Sequence, residues 1–99
     1  MRLTEHQRRT IRHTVQETLG SGVEVRLFGS RVDDGKRGGD IDLYLAADRP
    51  IENKAIIASR IAAKLQIALG DQKIDVVLVD PQTPEQRIHR VAREKGVVI

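Results

Sequence analysis

The chain has 99 residues, a net charge of +3 and 31% charged residues, and its 39% hydrophobic content comes mainly from Ile, Val, Leu and Ala. That length fits one domain with a modest core. It contains no cysteine, which excludes disulfides and Cys-based zinc sites. Phe28 and Tyr44 are the only Phe, Tyr or Trp residues, too few for a protein that stacks on bases, so direct nucleic-acid binding is not expected. No apolar run approaches the ~20 residues of a membrane span, and the N-terminus lacks the apolar segment of a signal peptide; a soluble, cytoplasmic protein without membrane contact is the expectation.

In chain order, Thr4 to Leu19 reads as a helix. Thr4 and Gln7 form a potential capping box, Gly20 is a stop, and Leu3, Ile11, Val15 and Leu19 form one apolar stripe. Val23 to Phe28 alternates apolar and charged residues, predicting a strand with Glu24 and Arg26 facing outward. Arg31 to Gly39 is a loop with a short helical turn, and Asp40 to Leu45 is the second strand. Pro50 marks the first turn of a long helix capped by Asp48, with Ile51, Ala55, Ala58, Ile61, Ala62, Leu65 and Leu69 as its inner face. Lys73 to Val79 is a third strand, and its near-continuous apolar run predicts a central position covered on both sides. Thr83-Pro84 starts a last helix with Ile88, Val91 and Ala92 facing in. Gly96 ends it, and Val97 to Ile99 adds a short edge strand. The expected fold is a mixed α/β (α+β) domain over residues 1–99, with a small mixed sheet of about three main strands and four helices.

Chemistry concentrates in three places. Phe28-Gly29-Ser30 ends one strand, nine loop residues follow, and Asp40-Ile41-Asp42-Leu43 opens the next. Asp75 lies within the third strand. Acids in core strands are costly unless compensated. Side chains at i and i+2 of a strand share a face, with Cα atoms about 6.5–7 Å apart. Asp40 and Asp42 can therefore converge on one ion, or flank two ions about 3.5–4 Å apart, while Ile41 and Leu43 pack behind them. Asp75 completes the set if its strand is adjacent. Mg²⁺, one or two ions, suits oxygen ligands shared with substrate phosphates. Gly29 lets backbone approach a phosphate closely, and Ser30 and Arg31 can donate hydrogen bonds to it.

These residues resemble the polymerase-β-like nucleotidyltransferases, and the short length points to their smallest branch, the minimal nucleotidyltransferases (MNT). The likeness runs from about Val23 to Ile99. It rests on Gly29-Ser30, the Asp40/Asp42 pair and Asp75, with weaker support from Arg87 to Ile99; Gly39 stands where many relatives carry Ser. The resemblance implies a palm-like nucleotidyltransferase fold. It also implies catalytic and metal-binding roles for Asp40, Asp42 and Asp75, nucleotide binding at Gly29, Ser30 and Arg31, and ATP as substrate. Its best-matching role is that of an antitoxin in a HEPN/MNT toxin–antitoxin module, moving AMP from ATP to a tyrosine hydroxyl of a cognate HEPN toxin. Two alternatives are a non-catalytic module that neutralises its partner by contact and a transferase acting on a small-molecule acceptor.

Other residues read as structural. Asp33, Asp34 and Asp80 are turn acids, and a structural reading of Asp75 pairs it with Lys73 or with a neighbouring Arg. Arg87, Arg90 and Arg93 form a solvated face, and His6, His13 and His89 lie at the surface. Arg8 and His13 match the Arg-x4-His spacing of HEPN ribonucleases. That motif needs an all-helical scaffold, so the match is coincidental in a chain with strands.

Overall fold

A computed structural model describes residues 3–28, 41–70 and 73–99. Their elements run α1 (Glu5–Leu19), β1 (Val23–Phe28), β2 (Ile41–Ala47), α2 (Lys54–Leu69), β3 (Ile74–Val79), α3 (Arg87–Lys95) and β4 (Val97–Val98). The strands form one mixed sheet in the order β3-β2-β1-β4. β1 runs antiparallel to β2 and β4, whereas β2 and β3 are parallel. A parallel pair needs a crossover connection, and α2 supplies it. The described residues hold three helices rather than four, since the expected turn in 31–39 lies outside them.

Alternation along the strands creates two faces. Val25, Leu27, Ile41, Leu43, Leu45, Ile74 and Leu78 join Ile11, Val15 and Leu19 of α1 and Ala58, Ile61 and Leu65 of α2 in the main core. Removing each large aliphatic side chain from water contributes about 1.5–3 kcal/mol. On the other face Tyr44 and Val79 meet Ala92 of α3, flanked by Phe28, Ala46 and Val77.

The caps explain where helices begin and end. Thr4 Oγ1 accepts the Gln7 N–H at 3.0 Å while Gln7 Oε1 accepts the Thr4 N–H at 2.9 Å, so the expected capping box forms. Arg49 donates to the carbonyls of Leu19 and Ser21, satisfying acceptors where α1 ends. Gly96 closes α3 as expected; a Cβ there would collide with the Ala92 carbonyl oxygen.

Several expectations need correction. The α2 helix begins at Lys54, behind a left-handed Asn53, and not near Pro50. Asp48 pairs with Arg49 and does not cap it. The reason is long-range: Asp80, just after β3, takes the Ile51 N–H at 2.8 Å and so holds residue 51 outside the helix. The β3 strand is an edge and not a centre, because an apolar run reports contact with helices and not which neighbours pair. Ala55 and Val91 are exposed, and the side chain of Ile88 lies outside those described. Arg26 is half-buried, donating to the Arg93 and Gly96 carbonyls at 3.1 and 3.4 Å as the last turn of α3 passes over it.

Asp80 is the most heavily bonded acid described. Its side chain is 1% exposed, and besides Ile51 it accepts from Lys54 Nζ, the Gln82 N–H and Thr83 Oγ1. The Ile51 bond, with help from Thr83, Lys54 and Gln82, outweighs desolvation and lowers its pKa from 3.8 to about 2. A depressed carboxylate stabilises the fold above its unfolded pKa, and this contribution disappears as pH falls from about 4 through about 2. Asp80→Asn is therefore expected to lower the urea midpoint at pH 7 and to flatten its decline between pH 4 and pH 2, as followed by circular dichroism.

Candidate active site

In the parallel register of β2 and β3, Asp42 stands directly opposite Asp75. Backbones of neighbouring strands are about 4.7–4.9 Å apart, so both carboxylates rise side by side from one face. Alternation places them away from Ile41, Leu43, Ile74 and Val76, which belong to the α1/α2 core. On the other side Phe28, the last residue of β1, is the register partner of Asp42. A row Phe28–Asp42–Asp75 thus crosses one end of the sheet. Phe28 and Ile41, which flank residues 29–40, both lie at this end.

The α3 helix covers the next rows and leaves this one accessible. Ala92 packs on Tyr44 and Val79, whereas Asp42 is half-buried and the Asp75 side chain is 50% exposed. Lys73 Nζ lies 3.9 Å from Asp75 Oδ2. Like charges directly opposite in a sheet repel, and this row keeps two where apolar residues would pack. The donor set is all carboxylate, and among the described residues no group of three or more potential ligands forms.

Four of the sequence-derived site residues, Gly29, Ser30, Arg31 and Asp40, lie outside the described residues, as do Asp33 and Asp34. Asp42 and Asp75 are brought together. Arg87, Arg90 and Arg93 are exposed; the hydrogen bond from Arg93 to Glu85, reinforced by the Glu85 charge, raises the Arg93 pKa. Arg8 pairs with Glu5 and the exposed His13 with Glu17, each along α1. Five residues apart on a helix, Arg8 and His13 point about 140° from one another.

His89 is buried, contrary to its expected surface position. Its Nδ1 accepts the Gln86 N–H at 3.2 Å, and its ring lies 6.2 Å from that of Tyr44, two residues beyond Asp42 on the same face. The signal for this was its position three residues before Ala92 on the inner face of α3. The signal for Asp80 was Asp80-Pro81-Gln82-Thr83, where a hydroxyl and a free N–H follow the acid within three residues.

No protein-family model matches the chain, and no curated protein does. Solved structures do. A toxin–antitoxin complex with AMP-PNP matches with a TM-score of 0.71 at 26% identity, covering 97% of this chain and 72% of the other. The complex of tri-AMPylated HEPN toxin with MNT antitoxin from Shewanella oneidensis matches at 0.69 and 23%, covering 97% and 71%. This chain has the nucleotidyltransferase fold. A Sulfolobus solfataricus protein described as a nucleotidyltransferase shares the fold more distantly, at 0.52 and 19%, covering 95% and 82%. Among the described residues, no helix is long and apolar enough to cross a membrane.

If the acid row is a site and not a packing device, neutralising one acid relieves repulsion at little structural cost. Asp75→Asn is expected to leave the stability measured by urea unfolding within about 1 kcal/mol of the unaltered chain, in either direction. A loss of several kcal/mol would make Asp75 a structural acid.

Proposed function

We propose that this chain is a metal-dependent nucleotidyltransferase of the MNT type that moves AMP from ATP to a tyrosine hydroxyl of a cognate HEPN toxin, and so acts as an antitoxin. The observation that carries this reading is the opposition of Asp42 and Asp75 on one accessible face. Two similar complexes support the rest: AMP-PNP in one is consistent with ATP as the nucleotide, and the tri-AMPylated toxin in the other with AMP transfer to a toxin.

The donor set fits a hard divalent cation. Asp42 and Asp75 offer oxygen ligands from adjacent strands, and Asp40, two residues before Asp42 in the sequence, would add a third carboxylate. When bound, Mg²⁺ neutralises charge on the transferring phosphate and the departing pyrophosphate. Gly29 and Ser30, directly after Phe28, hold the outer phosphates, with Arg31 in support. The acceptor hydroxyl forms the new bond to the α-phosphorus, and the bond to the pyrophosphate oxygen breaks. Asp75, the more exposed of the described acids, orients that hydroxyl and receives its proton. Catalysis on this reading is mainly positioning and electrostatics.

The test is incubation with ATP, Mg²⁺ and the product of the adjacent gene, read by intact mass. The partner should gain one or more AMP units. Asp42→Asn should reduce that gain by about a hundredfold or more, with urea unfolding little changed; full activity in this variant would remove Asp42 from the site. Ser30→Ala should weaken ATP binding, measured by calorimetry, more than it weakens folding. A stable complex without any mass gain would favour a module that neutralises by contact alone.

A further inference from the structure

The outward side of α2 carries large apolar residues that no described residue covers. Ile56 is 58% exposed and Ile67 is 86% exposed. They are eleven residues apart, about three turns, so they lie on one line about 16 Å long. Exposed Ser59 and Ala63 lie between them, small enough to let another backbone approach, and Arg60 stands beside the line. Ala58, Ile61 and Leu65, on the opposite side of the helix, fill the main core, so the stripe is surplus to folding.

Charge says what kind of surface would cover it. From Lys54 to Leu69 the helix has three cations and no acid. Lys54 is turned to Asp80 and Lys64 lies near Glu17 on α1, whereas Arg60 has no ion pair among the described residues. A second copy of this chain would bring cation to cation in an antiparallel pairing of α2 helices. An acidic surface would not.

We propose that the Ile56–Ser59–Ala63–Ile67 stripe is the docking surface for an amphipathic helix of the toxin partner, with a carboxylate of that helix placed against Arg60. This rests on the partner reading above and adds to it where the partner sits. The acids face the other side of the sheet, so a helix held on α2 leaves the Phe28–Asp42–Asp75 row uncovered. Holding the toxin and modifying a hydroxyl are then tasks of different surfaces.

The experiment titrates the adjacent gene product against the unaltered chain, Ile67→Asp and Arg60→Glu, by calorimetry at two salt concentrations. Ile67→Asp should weaken the complex at least tenfold. Arg60→Glu should weaken it mainly at low salt. Neither should change ATP binding or the circular dichroism spectrum. Equal affinity for all three chains would overturn the docking site while leaving the partner reading intact. No complex even with the unaltered chain would overturn both. If Ile67→Asp instead converts a dimer of this chain to monomer, or abolishes binding to phosphatidylserine vesicles while the complex persists, the stripe belongs to a second copy or to a membrane and the proposal is wrong.

Discussion

The parallel pairing of β2 with β3 is the constraint on which the rest of the molecule depends. It sets Asp42 opposite Asp75 and commits Leu43, Leu45, Ile74 and Leu78 to the main core. A one-residue slip would reverse both assignments, sending the acids into the core and the leucines to water. The two outcomes are therefore one decision. Burial of the aliphatic residues enforces the register, and the register forces two carboxylates together that would otherwise separate. Strand pairing at the other edge is weaker: β4 has only two residues, and an Arg12 hydrogen bond to the Ile99 carbonyl at 2.7 Å helps secure its end.

Asp80 locks that arrangement from outside the sheet. It collects donors from the residues before α2, the first residue of α2 and the turn after β3. The start of the crossover and the end of β3 are thus tied to one buried carboxylate. Its role differs from that of Asp42 and Asp75 although all three acids sit in or beside strands. Asp80 is enclosed and fully engaged by donors, which lowers its pKa. The Asp75 side chain is half exposed, beside a lysine that is itself exposed. The contrast separates an acid that holds structure from one that remains accessible to a ligand.

Features set by neighbouring residues were legible in the chain, and those set by distant ones were not. Thr4 and Gln7 announce their capping box, and the alternation from Val23 to Phe28 gives β1 its bounds, because both signals are local. The start of α2 was misplaced because the residue that decides it, Asp80, lies about thirty positions away. Arg26 read as outward-facing because alternation knows two faces but not that α3 returns over one of them. His89 failed for the same reason, since Tyr44 buries it from another element. At the candidate site, the two-residue spacing of Asp40 and Asp42 is legible in the chain, and Asp40 itself lies outside the described residues. The meeting of Asp42 with Asp75 required the topology, which the apolar run of β3 suggested wrongly by placing that strand at the centre.

The edge position of β3 bears on function as well as on topology. A central strand would bury Asp75 between neighbours on both sides, where a charge is tolerated only when fully paired. At the edge the carboxylate keeps a solvent-facing side, so a ligand can reach it without the sheet opening. Lys73 and Asp75 also place charges on an edge that would otherwise offer Val77 and its unpaired backbone groups to another strand. The same two residues thus guard the edge against unwanted pairing and keep the acid row open. The misreading of β3 as central and the accessibility of Asp75 have one origin: its apolar residues are covered by α2 and α3 from above and below, while no described strand covers its outer side.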